Sequence, residues 1–166
     1  MLATLPAHAL VRWNEGRDKG YVEAGVTVAM DSNIYTSSIA ASDLIYTANI
    51  GVEYQRHAGL IGINATADVQ ISEFTDNPSE EFSNPQMRLE FNKDTGRTTG
   101  SIGLSAVRST RADPTVNVRT DSWNYGADFD FKYPVSDQHA LSGSFNWRKQ
   151  DYSDNTLFVD IQSTSR

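Results

Sequence analysis

Residues Trp123–Tyr133 read W-N-Y-G-A-D-F-D-F-K-Y, and their order decides the fold. Trp123, Tyr125, Ala127, Phe129, Phe131 and Tyr133 alternate with Asn124, Gly126, Asp128, Asp130 and Lys132. A β-strand points successive side chains to opposite sides, so this stretch makes a strand with one apolar and one polar face.

The same two-residue beat recurs outward in both directions. Upstream, Tyr21 to about Tyr35 alternates Val22, Ala24, Val26, Val28 and Met30 with Glu23, Gly25, Thr27 and Asp31. Leu44–Gln55 sets Leu44, Tyr46, Ala48, Ile50, Val52 and Tyr54 against Thr47, Asn49, Gly51, Glu53 and Gln55. Leu60–Phe74 sets Ile61, Ile63, Ala65, Ala67, Val69 and Ile71 against Asn64, Thr66, Asp68 and Gln70. Pro85, Met87, Leu89 and Phe91 then alternate with Gln86, Arg88, Glu90 and Asn92. A glycine-rich strand follows, with Ile102, Leu104 and Ala106 against Ser101, Gly103 and Ser105. Downstream come Leu141, Gly143, Phe145 and Trp147 against Ser142, Ser144, Asn146 and Arg148, then Leu157, Val159 and Ile161. Eight strands are expected, and helical spacing has little support in any of them.

The connections alternate in character too. Arg56–Gly59, Lys93–Arg97 and Pro134–His139 are compact and rich in Gly, Asp or Pro; Ser37–Asp43, Thr75–Asn84, Ser109–Ser122 and Asp151–Thr156 are more polar and mostly longer. Outer-membrane barrels pair short periplasmic turns with longer extracellular loops. Strands of about 9–11 residues with an unbroken lipid-facing stripe are what a bilayer crossing needs; sandwich strands usually run nearer five or six. The fold expected is therefore an all-β, antiparallel up-and-down transmembrane β-barrel of about eight strands, or the N-terminal part of a larger barrel, occupying residues 21–166.

Composition agrees and removes other classes. The 166 residues hold no cysteine, which excludes disulfides and thiolate chemistry. A mean hydropathy of −0.47 is ordinary for a barrel, where only alternate strand residues meet lipid. A formal charge of −7 argues against nucleic acid as a partner. Residues 1–20 read as the remnant of a secretory signal with an N-terminal extension: Leu2, Ala3 and Leu5 end an apolar run, and Ala7-His8-Ala9 has the small-x-small form of a cleavage site.

In such a barrel the polar faces line the lumen. The lumen-facing set is Glu23, Glu53, Asp68, Arg88, Glu90, Asp128, Asp130, Lys132 and Arg148, with Arg88 and Glu90 placed to pair across neighbouring strands. Those charges either select a solute or simply hydrate and brace the barrel. Aromatics gather near strand ends, as at a bilayer's headgroup level; the interface set is Tyr35, Tyr46, Tyr54, Trp123, Tyr133 and Trp147.

Asp31-Ser32-Asn33-Ile34-Tyr35 with Ser42-Asp43, Arg111-Ala112-Asp113-Pro114, Lys132-Tyr133-Pro134-Val135-Ser136 and Tyr152-Ser153-Asp154-Asn155 together resemble the family known as β-barrel porin 2. The resemblance implies a Gram-negative outer-membrane barrel, with some members associated with exopolysaccharide or capsule systems. It supplies no catalytic residues. Family members are longer, and this sequence ends Ser163-Thr164-Ser165-Arg166 rather than in an aromatic terminal strand, so a part of a larger barrel is expected.

Catalytic and metal-binding patterns are not found. His8, His57 and His139 fall in the terminus and two turns, without metal-ligand spacing. No serine lies in a G-x-S-x-G elbow. Asp151–Asn155 alternates oxygen ligands but lacks the glycine and closing glutamate of a calcium loop. Asp128 and Asp130 share a face at about 7 Å, a glycosidase-like spacing without other support. The expectation is a non-enzymatic protein without cofactor whose partners are outer-membrane lipid and small solutes or polysaccharide. The competing reading is a secreted β-sandwich that binds carbohydrate through aromatics such as Trp123 and Trp147.

Overall fold

The computed structural model describes residues 2–34, 40–57, 59–113, 118–153 and 161–165. They form one antiparallel sheet of nine strands: β1 (Leu2–Trp13), β2 (Asp18–Asp31), β3 (Asp43–Arg56), β4 (Gly62–Phe74), β5 (Phe82–Lys93), β6 (Thr99–Asp113), β7 (Val118–Pro134), β8 (Ala140–Tyr152) and β9 (Ile161–Ser165). Each strand pairs with its neighbours in sequence, in the order β1 to β9. The fold is all-β and up-and-down, and the sheet is open, with β1 and β9 at its edges.

The register keeps the alternation in phase across the whole sheet. Residues paired across an antiparallel ladder lie on the same face. Val26 pairs with Ala48, Ala48 with Ile71, and Ile71 with Ser83. Leu89 pairs with Leu104, Leu104 with Ala127, and Ala127 with Trp147. A slip of one residue anywhere would send an apolar set to the polar side, so the period-two pattern itself holds the register.

The strands are also inclined. The row through Asp18 and Arg56, next to the first compact turn, crosses Ile63, Phe91 and Ile102 and reaches Phe129, while β7 runs on to Pro134. An offset of about five residues is roughly 17 Å of climb across roughly 24 Å of sheet, a tilt of about 35°. Closed barrels require tilt of this kind.

Three elements differ from the sequence reading. The long connection expected at Ser109–Ser122 is mostly strand: β6 runs on to Asp113 and β7 begins at Val118, paired from Ser109↔Ser122 to Asp113↔Val118. The sheet starts at Leu2, not Tyr21: β1 pairs with β2 from Leu2↔Ala29 to Trp13↔Asp18. From Leu5 the chain keeps the beat, Leu5, Ala7, Ala9, Val11 and Trp13, and these pair with Val26, Ala24, Val22, Gly20 and Asp18. The turn Asn14–Arg17 closes the hairpin with positive φ at Asn14 (50°), Glu15 (58°) and Gly16 (83°). The last strand is Ile161–Ser165, paired with Asn146–Gln150, whereas Leu157 and Val159 lie outside the described residues.

The sheet is a single layer. Among the described residues the only buried apolar side chains are Ile34 and Phe74. The accessible surface is 11293 Å², against about 8200 Å² for a compact monomer of this mass. A sandwich would cover one face with a second sheet; here the strands make one sheet only.

Candidate functional site

One face carries the apolar set of every strand from β2 to β8. Its side chains stand in the open: Val26 is 49% exposed, Ile50 50%, Met87 55% and Leu141 57%. Val22, Val52, Ile102, Leu104, Phe129 and Phe145 are exposed on the same face. A soluble monomer rarely leaves a contiguous apolar patch above a few hundred Å² uncovered. Charged residues on this face sit toward strand ends, where Arg56 lies 3.9 Å from Asp18, Arg108 2.5 Å from Asp121 and Lys149 2.5 Å from Asp151.

Aromatic rings border that face. At the end with the compact turns Trp13 stacks on Tyr54, with centroids 5.9 Å apart, and the Arg97 guanidinium lies 5.4 Å over the Tyr133 ring. At the opposite end Trp123 stacks on Tyr125 at 5.9 Å, and Tyr46 shares the face. Trp147 pairs with Ala127 on the same face, between the two ends. Tyr35 lies outside the described residues. Tyr21 pairs with Glu53 and Tyr152 with Ser122, on the polar face. Phe74 also turns there, buried against Phe82 at 6.3 Å. Trp13 lies outside the strands expected from the sequence because Leu2–Ala9 have the composition of a leader; the odd-numbered beat from Leu5 to Trp13 is the signal that marks it.

The other face gathers all nine charged residues singled out from the sequence. Glu23 and Asp68 flank Gly51, where a methyl group would come within 3.0 Å of the Glu23 Cγ and 3.3 Å of the Asp68 Cβ. Glycine at that position lets two carboxyl side chains lie down over β3. Gln86 donates its amide to Asp68, and Gln55 donates to Glu53 at 2.6 Å. Across the sheet the Arg148 Nη1 sits 3.2 Å and 3.1 Å from the two Asp128 oxygens, and Asn146 also donates to Asp128. Gly126 makes room for that guanidinium, since a methyl there would lie 2.8 Å from Nη1. Asp130 accepts from the Ser101 hydroxyl.

The pairing anticipated for Arg88 and Glu90 is not the one formed. Arg88 faces Thr66 and Ser105, and Glu90 faces Asn64 and Gly103, all uncharged. The ion pair of this region is Arg148–Asp128, because β7 and β8 place the two residues on a diagonal of adjacent strands. Lys132 stands between Thr99 and Ser142. It lines a polar cavity of about 650 Å³ with Asn92, Ser101, Asp130 and Ser144.

At the strand ends two carboxylates act as ties. Asp18, 2% exposed, accepts from the Tyr54 hydroxyl at 2.9 Å and from the Asn14 amide, joining β1, β2 and β3 at the first turn. Asp43, equally buried, accepts the backbone N–H groups of Leu44, Thr75 and Asp76 and the Asn77 amide at 2.7 Å. It fastens the β4–β5 connection to β3. Neither is recognisable as a tie from the sequence, since a single Asp at a strand start looks like any polar turn residue.

His8 lies in β1, its Nδ1 3.9 Å from Glu23, while His57 and His139 are in turns. Among the described residues no three His, Asp or Glu side chains come together as metal ligands. Asp151 of the oxygen-rich stretch is engaged by Lys149, and Asp154 and Asn155 lie outside the described residues. No helix among the described residues is long and apolar enough to cross a membrane, which does not bear on strands. In comparisons with known proteins, no family model, curated protein or solved structure matches the chain.

Proposed function

We propose that the chain forms the wall of a bacterial outer-membrane β-barrel, with its apolar face against lipid and its polar face toward a water-filled lumen. The observation that carries this reading is the uncovered apolar face backed by a continuous polar one. Lipid is the partner that satisfies such a face without a second protein layer. The apolar stripe Trp123–Tyr133 is about 33 Å long and stands roughly 27 Å tall at the observed inclination, close to the ~25 Å apolar band of membrane barrels. The connections that follow β1, β3, β5 and β7 then gather on the periplasmic side.

The lumen face presents carboxylates, guanidinium groups, amides and hydroxyls with few rings, a surface suited to passing hydrated polar solutes. Solute passage in a porin-like manner, or assistance to polysaccharide export as the family resemblance implies, is the role proposed. The secreted carbohydrate-binding sandwich has less support, because neither face of the sheet is covered by a second layer. The test is refolding from urea, followed by far-UV circular dichroism and by gel migration with and without boiling. A heat-modifiable β-rich species formed in detergent micelles and not in plain buffer is expected. Cooperative folding in plain buffer to a soluble monomer would refute the proposal.

A further inference from the structure

The apolar face is not smooth. Next to the compact turns it carries a notch of about 280 Å³ lined by Ile61, Phe91, Ile102, Phe129 and Phe131, with Lys93 at its rim. Gly100 makes the notch: it lies between Lys93 and Phe131 on this face, and a methyl group there would run into the Asp130 carbonyl. A position that admits no side chain leaves a gap between Phe91 and the Phe129–Phe131 pair, whose rings are 5.8 Å apart.

Lys93 stands at the rim of the gap, and a second cation, Arg97, lies over Tyr133, the next ring on this face after Phe131. The Lys93 Nζ donates to the carbonyls of Thr95, at 2.9 Å, and Thr98, which hold it over the turn. An ammonium has three donors, so one remains for an outside acceptor. The Arg97 guanidinium lies over Tyr133 and donates to the Pro134 carbonyl at 3.3 Å. The acid of the same turn, Asp94, lines the cavity on the polar face instead and does not compete for these cations.

We propose that this notch is a specific phospholipid site: one acyl chain lies against Ile61, Phe91, Ile102 and Phe129, and an anionic headgroup phosphate meets Lys93 and Arg97. The inference rests on the membrane reading above, which puts lipid on this face and the compact turns at headgroup level. Apolar lining alone would accept any chain; Lys93 at the rim and Arg97 over the neighbouring Tyr133 select an anionic headgroup.

The test is native mass spectrometry of the protein folded in nonionic detergent, mixed with dioleoyl phosphatidylglycerol or dioleoyl phosphatidylcholine. Heat-modifiable migration is checked first for every variant. The folded protein should retain phosphatidylglycerol roughly tenfold better than phosphatidylcholine, the scale of one or two surface cation contacts. Lys93→Gln with Arg97→Gln should erase that preference, and Ile102→Phe, which fills the gap, should lower retention of both lipids. Equal retention of the two lipids by folded wild-type protein would overturn the site and leave the barrel standing. A preference that survives in the double variant would also overturn it. A protein that never becomes heat-modifiable would remove the site and the membrane reading together.

Discussion

At the residue scale, neighbours one position apart live in opposite environments. Ile50 stands on the apolar face and Asn49, its predecessor in β3, on the polar face opposite Gly25 and Gln70. If lipid covers the first and water the second, a cation has very different costs at the two positions. Ile50→Arg is expected to destabilise the folded protein in phosphatidylcholine vesicles by about 2–4 kcal/mol, the cost of arginine near the bilayer midplane. Asn49→Arg is expected to change stability by less than about 1 kcal/mol, since a lumen face hydrates the added charge. Urea titration of the two variants in vesicles measures the difference, and equal losses would contradict the assignment of faces. The glycines belong to the same scale. Gly51 and Gly126 are bare so that charged neighbours can lie across them, a feature visible only once the register puts Glu23, Asp68 and Arg148 beside them.

At the element scale, β1 separates pattern from position. Its register with β2 predicts that Ala9→Cys with Val22→Cys will form a disulfide in the folded protein, because the pair is directly opposed on one face. Ala9→Cys with Glu23→Cys should not, because the two side chains would point to opposite faces. The chain has no native cysteine to confuse the result. A non-reducing gel reads it, and efficient bridging by the second pair alone would mean β1 is displaced by one residue. Strands β2 to β5, β7 and β8 were legible in the sequence because their alternation is long; β6 was legible only over Ser101–Ala106, because Arg108 and Thr110 interrupt its apolar positions beyond that point. The start of the sheet was not, because Leu2, Ala3, Leu5 and Ala7-His8-Ala9 satisfy the composition of a leader as well as that of an edge strand. Nor was the Arg148–Asp128 bridge, since alternation assigns a residue to a face but not to a cross-strand partner. The ties at Asp18 and Asp43 depend on loops returning to a strand end, which local pattern does not encode.

At the scale of the whole molecule, the proposed place in a bilayer would require the open sheet to lose its free edges. Nine strands in up-and-down order leave β1 and β9 running in the same direction, whereas bacterial barrels close antiparallel with an even strand number. Closure by β1 on β8, or by further strands at the edges, would meet that rule, and the inclination of about 35° already provides much of the stagger a closed barrel needs. Both outcomes keep the apolar face outward, and that orientation is the central claim.

The three tryptophans of the chain, Trp13, Trp123 and Trp147, all lie on that face, two at its ends and one between them. Tryptophan fluorescence of the protein reconstituted in vesicles with acyl-brominated phosphatidylcholine therefore reports on the claim without any engineered probe. The account predicts strong quenching relative to unbrominated vesicles and little quenching by aqueous iodide. Emission untouched by brominated lipid but quenched by iodide would contradict it.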